Sequence, residues 1–354
     1  TTQDYVKVEH VTSNPNYPIL PVESTLGTSE SYIIEDHSHG DMVNGIYGFS
    51  NYVMYVYANQ SKIWWKKYDK TTSQWSTGER AFPNPYGDKG ETEVEQQPSV
   101  TITDSGEIFM IWREIDEFGS SQLYMADFDE TFESWGTPVN VTQEYLGTLR
   151  RYPDVFEYNS THLGFIYTYD YKYIFSGGPG ILITALIDKG LNTVSGKGYL
   201  ANEAFLYLDA HSASATRLPS GKLAIAISGR NFDTTKPDND IYVAIYEENA
   251  NLTSLGNSSV YQATSSFTDE MFPDIGVVQR EEGSSLMVVY ENIGDSAMEK
   301  IGSVASNDEG RTWREETNLR SLPSSISIVE NVEEGYVGYK AGIDEITSPI
   351  AMSP

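Results

Sequence analysis

Apolar residues in this chain alternate with polar ones over runs of about five to nine residues, and clusters of Gly, Asn, Asp and Ser separate the runs. One such unit reads Gln97-Pro98-Ser99-Val100-Thr101-Ile102-Thr103, then Asp104-Ser105-Gly106, then Glu107-Ile108-Phe109-Met110-Ile111-Trp112. An extended segment, a tight turn and a strongly apolar strand make a hairpin. No long segment shows a helical period, and the 25 tyrosines suit a pleated, half-buried surface. The pattern predicts an all-β chain.

The same phrase recurs, with counterparts beginning near Met42, Tyr152, His211, Phe272 and Leu322. Its spacing of roughly 50 to 60 residues is that of four-stranded propeller blades rather than of a sandwich or an up-and-down barrel, and predicts about six blades. The last repeat is short. Ser325-Ile326-Ser327-Ile328-Val329 and Gly335-Tyr336-Val337-Gly338-Tyr339 supply two strands, Ile350-Ala351-Met352 offers a third, and the sequence stops. At the other end Tyr5-Val6-Lys7-Val8-Glu9-His10-Val11 alternates like an edge strand with no partner. Joining the two closes the ring and removes exposed edges. The expectation is one propeller domain over 1–354, with 1–20 as closing strand and lead-in and no internal linker.

A second hairpin recurs within each unit, and its fullest form is Ser306-Asn307-Asp308-Glu309-Gly310-Arg311-Thr312-Trp313. In such a turn a short carboxylate folds back onto turn N–H groups, a glycine takes up a conformation other residues avoid, and a tryptophan pins the next strand. This segment resembles the Asp box of the sialidase-like, BNR-repeat β-propellers. Tyr68-Asp69-Lys70-Thr71-Thr72-Ser73-Gln74-Trp75, Phe128-Asp129-Glu130-Thr131-Phe132-Glu133-Ser134-Trp135 and, more weakly, Ile187-Asp188-Lys189-Gly190 look like eroded copies. The resemblance implies that these turns are scaffold on the rim away from the active face.

Composition narrows the function. The 51 acidic residues against 23 basic give a formal charge of -28, which argues against nucleic-acid binding, where phosphates need clustered Lys and Arg. Cysteine is absent, so disulfides and thiolate chemistry are excluded. No run approaches the roughly 18 apolar residues of a membrane span, and Thr1 opens directly into polar sequence. Sequons at Asn59, Asn140, Asn159, Asn251 and Asn257 fit a glycosylated exterior, and an extracellular or cell-surface location is expected.

In a propeller, loops entering the innermost strands gather with the second-to-third-strand loops on one face. Aligning the repeats selects Asp36, His37, His39, Asp41, Gln96, Gln97, Arg150, Arg151, Tyr152, Asp209 and His211 from the first set. The second set adds Arg113, Glu114, Tyr169, Asp170, Arg230, Asn231, Glu291 and Asn292. Such a two-signed, aromatic rim suits glycans. Sialidases hold a carboxylate with three arginines, and Arg113, Arg151 and Arg230 come from different blades at similar heights. The Arg-Ile-Pro motif of that family is missing, however, and Arg151-Tyr152-Pro153 falls in the wrong blade, so sialidase activity is not expected.

Glycoside hydrolysis needs paired carboxylates, for which Glu114, Asp170 and Glu291 are candidates. Lyase chemistry, found on some propellers of this type, would draw on His37, His39, His211, Tyr152 and Arg151, and Arg230 joins them as a catalytic candidate through the arginine set. Tyr169, Asp170 and Tyr171 lead into a Gly177-Gly178-Pro179-Gly180 turn and make the preferred aromatic contact surface, whereas Trp64, Trp65 and Trp112 read as core. The His37/His39 pair lacks further ligands at a characteristic spacing; no cofactor is expected, and calcium is the ion the oxygen-rich loops leave open. Two readings result: a glycan-recognising propeller that cleaves a polysaccharide as hydrolase or lyase, and a non-catalytic adhesion, envelope or receptor-binding protein.

Overall fold

The computed structural model describes residues 41–44, 52–59, 62–69, 71–72, 74–83, 94–115, 120–142, 148–171, 181–199, 212–229, 238–252, 257–265, 268–280, 283–293, 300–314, 317–321, 324–329, 336–341 and 345–351. Among them every regular element but one short helical turn position is a strand, and the strands form six sheets.

The first sheet holds β1 (Asp41–Asn44), β2 (Tyr52–Asn59), β3 (Lys62–Asp69) and a broken outer strand, β4 (Gln74–Trp75) and β5 (Glu79–Arg80), both paired to β3. The second repeats this plan with β6 (Val94–Ile102), β7 (Ile108–Ile115), β8 (Ser121–Asp129) and the outer fragments β9 (Ser134–Trp135) and β10 (Val139–Asn140). Three four-stranded sheets follow. They are β11 (Thr148–Glu157), β12 (His162–Tyr171), β13 (Ile181–Asp188) and β14 (Val194–Tyr199); β15 (Ser212–Arg217), β16 (Leu223–Gly229), β17 (Asp240–Tyr246) and β18 (Ser258–Gln262); and β19 (Asp269–Arg280), β20 (Gly283–Ile293), β21 (Lys300–Ser306) and β22 (Thr317–Ser321). The sixth sheet has three strands, β23 (Ser324–Val329), β24 (Tyr336–Ala341) and β25 (Glu345–Ala351).

Within each sheet the strands meander antiparallel, because short turns join successive strands. First strands pack on first strands: β1 on β6, β6 on β11, β11 on β15, β15 on β19, β19 on β23, and β23 back on β1. The sheets therefore form a ring, and the chain is a β-propeller. Its repeats begin where the sequence pattern placed them, at β1, β6, β11, β15, β19 and β23. Five sheets carry a full complement of strands and the sixth carries three; the segment expected to complete it, around Tyr5 to Val11, lies outside the described residues.

The core is not central but lies between neighbouring sheets. Met54, Ile63, Trp65, Met110, Trp112 and Phe128 pack between the first and second. Ile111, Leu123, Phe165 and Ile183 fill the next gap, Phe156, Ile166, Ile225 and Tyr246 the next, and Val243, Ile275, Val288 and Tyr290 the one between the fourth and fifth. This explains the apolar second strands, such as Ile108-Phe109-Met110-Ile111-Trp112: each is covered on both faces by a neighbouring sheet. Trp65 and Trp112 are core residues, and Trp112 stacks on Phe82 at 4.6 Å; Trp64 is only half-buried.

Candidate functional site

The ring has two ends. At one, the base, first strands turn into second strands and third into fourth. At the other, the mouth, first strands begin and second strands pass to third.

Base turns are built from near neighbours in sequence. Asp308 accepts from the Thr312 N–H (2.8 Å) and hydroxyl (2.7 Å), and the Ser306 hydroxyl reaches both Asp308 Oδ1 and, as acceptor, the Gly310 N–H. Partial burial pushes the Asp308 carboxyl up, but the bonds from Thr312, Ser306 and Arg311 outweigh it and hold the pKa at about 2. Gly310 sits at φ +84°, and a Cβ there would meet Ile245 at 3.0 Å. Trp313 packs against the core between the fourth and fifth sheets. Asp69 and Asp129 make the same fold-back, each accepting from the N–H groups two and three residues on. The base also carries ion pairs: Lys189 with Glu157 of the same sheet (2.8 Å) and Glu107 of the sheet before (3.3 Å), and Arg217 with Asp104 of another sheet (2.9 Å).

The mouth is built differently. In β6, β11 and β19 the ladder slips by one residue, at Gln96/Ser99, Arg151/Asp154 and Met271/Asp274. Each slip contains a proline, Pro98, Pro153 or Pro273, which has no N–H to give the ladder. The residue before each proline lies in the left-handed region: Gln97 at φ 52°, Tyr152 at 50° and Phe272 at 51°. For non-glycine residues this conformation costs on the order of 1–3 kcal/mol and persists only where the surroundings impose it.

What imposes it is a belt of hydrogen bonds just below the slips. The Ser99 hydroxyl donates to Asp154 Oδ1 (3.0 Å), the Ala215 N–H to Asp154 Oδ2 (2.8 Å), and the Ser214 hydroxyl to Asp274 Oδ1 (3.0 Å). First strands of four successive sheets are thereby tied together. Above the belt the Tyr152 N–H donates to Gln97 Oε1 (2.9 Å), and the Tyr152 and Phe272 rings meet edge to face with centroids 5.0 Å apart.

A further equivalent position, two residues before the left-handed one, latches each sheet to its predecessor. Glu95 accepts from the Ile63 N–H (2.9 Å) and from Lys62 (3.3 Å). Arg150, wholly buried, donates to the Ser121 carbonyl while its own N–H bonds the Ser121 hydroxyl (2.6 Å), and its guanidinium lies 5.8 Å from the Tyr169 ring. Glu270 takes the Thr264 hydroxyl, and the Ser228 hydroxyl donates to the Glu270 carbonyl (2.6 Å). Burial pushes the Glu95 carboxyl up, with neighbouring Glu114 adding to the rise and the bonds from Ile63 and Lys62 opposing it.

The residues predicted for the site distribute as follows. Arg151 and Tyr152 are half-buried at the third-sheet slip. Arg113, Glu114 and Glu291 are buried at the mouth ends of second strands, with Glu114 directly across from Glu95. Counting from the slips, Arg113 and Glu291 hold the same repeat position in sheets two and five, on opposite sides of the ring. Tyr169 is half-buried against Arg150; Asp170 and Tyr171 continue the same strand. His37, His39, His211, Arg230 and Asn231 lie outside the described residues. Of the sequons, Asn251 and Asn257 are exposed, Asn159 is half-buried and accepts from the Thr161 and His162 N–H groups, and the Asn140 amide nitrogen lies 3.4 Å from the Tyr124 hydroxyl; Asn59 ends β2. No group of three or more His, Asp or Glu among the described residues could hold a metal ion.

Several buried polar atoms at the mouth make no hydrogen bond among the described residues: Gln96 Oε1, Ser212 Oγ, both Asp238 oxygens and Asn239 Oδ1. A buried polar group left unbonded costs about 1–3 kcal/mol, which water, a ligand or stored strain accounts for; Trp135 Nε1 and Trp313 Nε1 are in the same condition at the base. Sequence reasoning passed over Glu95, Glu270, Phe272 and the Asp154/Asp274 belt. The signal for the belt was there, as Gln97-Pro98-Ser99, Tyr152-Pro153-Asp154 and Phe272-Pro273-Asp274, a proline in what otherwise reads as a central strand.

No protein-family model matches the chain, and no curated protein matches it. Solved structures do. A GH93 α-L-arabinofuranosidase of Fusarium graminearum, in complex with arabinobiose, is 10% identical with TM-score 0.67, covering 91% of this chain and 94% of its own. The NanB sialidase from Streptococcus pneumoniae is 11% identical with TM-score 0.61, covering 94% and 70%. A polysaccharide lyase of family PL25, an ulvan lyase bound to -[GlcA(1-4)Rha3S]-, is 11% identical with TM-score 0.56, covering 92% and 96%. At such identities the likeness is one of fold, that of a β-propeller.

Proposed function

We propose that this chain is an extracellular or cell-surface propeller that recognises glycans at its mouth. The observation that supports it is the set of buried polar atoms without partners, Gln96 Oε1, Ser212 Oγ and the Asp238 carboxylate, gathered at the same end as half-buried Arg151 and Tyr152. Hydroxyl-rich ligands pair such groups, and glycan sites combine them with an aromatic face. Similar propellers that act on arabinosides, sialosides and a uronate polysaccharide lend the fold side of the reading. Cleavage by lyase chemistry would use Arg151 and Tyr152, with His37, His39, His211 and Arg230, for uronate neutralisation and proton transfer, whereas Glu114 and Glu291, offered as hydrolase carboxylates, belong to sheets on opposite sides of the ring and do not flank one bond.

In the same reading the ring is six-bladed, the N-terminal segment completes the sixth blade, and the fold-back turns at Asp69, Asp129, Asp188 and Asp308 are Asp boxes. Glycans carried on Asn251 and Asn257 would leave the mouth clear, since both asparagines flank the base end of β17 and β18. Screening the chain on an array of neutral, uronate-containing and sialylated glycans, with product analysis of each hit, tests the proposal. Retention with new reducing or unsaturated ends supports a cleaving enzyme; retention without turnover supports the adhesion or receptor-binding alternative. A chain that retains no glycan contradicts both glycan readings.

A further inference from the structure

The tyrosine and phenylalanine at the two aromatic slips point to one subsite. Sheets three and five are not neighbours in the ring, yet Tyr152 and Phe272 touch, with ring centroids 5.0 Å apart and planes at 60°. They meet over the start of β15, the first strand of the sheet between them. The residue of that strand at the equivalent repeat position is Ser212, two before belt residue Ser214 as Tyr152 is two before Asp154 and Phe272 two before Asp274. Its hydroxyl oxygen is buried and makes no hydrogen bond.

Three features distinguish this pair from ordinary core aromatics. Both residues are held in the left-handed region at a slip of their ladder, and their rings meet across the sheet between them. Both backbones are fixed from two sides, by the following proline and by the Asp carboxylate of the belt. Finally, Tyr152 remains half-buried while Phe272 is closely covered, so one ring supports the other and keeps its own surface partly open.

We infer that the Tyr152 ring, braced by Phe272, is a stacking floor for a sugar ring. The inference rests on the glycan reading above and assigns its binding surface. A sugar lays its C–H face on an aromatic ring and directs its hydroxyls sideways. Half-buried Arg151, next in sequence, is placed to favour an acidic sugar over a neutral one.

The test uses the full chain and three probes: arabinobiose, the GlcA(1-4)Rha3S oligosaccharide and any array hit. Tyr152→Leu, which keeps apolar contact with Phe272, is expected to weaken binding about tenfold or more, whereas Tyr152→Phe stays within about threefold of wild type. Tyr152→Asn relaxes the left-handed backbone, so its melting temperature should hold or rise while binding falls; a merely structural tyrosine would lose stability instead. Should Tyr152→Leu bind as wild type does, the stacking floor is overturned and the glycan reading stands. Failure of the wild-type chain to bind any glycan overturns both.

Discussion

The base and the mouth of this propeller solve the same problem, turning the chain at a sheet end, with opposite chemistry. At the base, Asp308, Asp69 and Asp129 are bonded by donors a few residues away, and the Arg217–Asp104 and Lys189–Glu107 pairs reach solvent while Lys189–Glu157 is largely buried within the third sheet. At the mouth, Glu95, Arg150 and Glu270 are buried and bonded by donors and acceptors on a neighbouring sheet. Local bonds survive separation of the sheets; those at the mouth do not. The mouth therefore depends on assembly of the whole ring, although left-handed backbone is not confined to it and recurs in the base turns at Glu133, Leu191, Asn249 and Glu309.

The comparison is broken most severely by removing one buried charge at the mouth. Arg150→Ala leaves the Ser121 carbonyl without its guanidinium partner and opens a cavity in a closed site, while the Ser121 hydroxyl keeps its bonds to the residue-150 main chain; it should cost about 2–4 kcal/mol in denaturant unfolding, and a loss below about 1 kcal/mol would mean the latch is ornamental. At the base the largest single effect belongs to Gly310→Ala, about 1–2 kcal/mol, because φ +84° disfavours any side chain and Ile245 stands 3.0 Å from the new Cβ. Arg217→Ala should change stability by less than about 1 kcal/mol, and the small difference should vanish in high salt.

The two ends should also respond oppositely to acid. Asp308 has a folded pKa of about 2 against an ordinary 3.8, so its contribution is present above about pH 4 and is lost as pH falls toward 2. Glu95 is raised, so its folded form favours the proton; it weakens the fold as pH rises through its folded pKa and is relieved below the ordinary 4.5. Asp308→Asn should flatten the acid limb of a stability–pH curve, and Glu95→Gln should flatten the limb above it. Identical curves for both variants and wild type would remove this distinction.

The sequence made the base readable and the mouth largely opaque, and the difference has the same physical origin. A turn such as Ser306 to Trp313 encodes donor, acceptor and glycine within one short segment, and the segment repeats. Repeat spacing was enough to locate the first strands and the ring. By contrast, the latch position is Glu95 in one sheet, Arg150 in the next and Glu270 in another. A shared location with changing chemistry leaves no pattern. Likewise, contact between Tyr152 and Phe272 depends on two sheets curving around a third. The prolines at 98, 153 and 273 were the one trace of that geometry in the letters, since a proline inside an apolar strand announces a slip in the ladder.

Hydrogen-exchange footprinting of the chain with and without a saturating glycan hit decides whether the mouth binds. New protection is expected at the beginnings of β6, β11, β15 and β19 and none at the turns containing Asp69, Asp129 and Asp308. Protection confined to those base turns, or to the outer strands β14, β18 and β22, would contradict binding at the mouth.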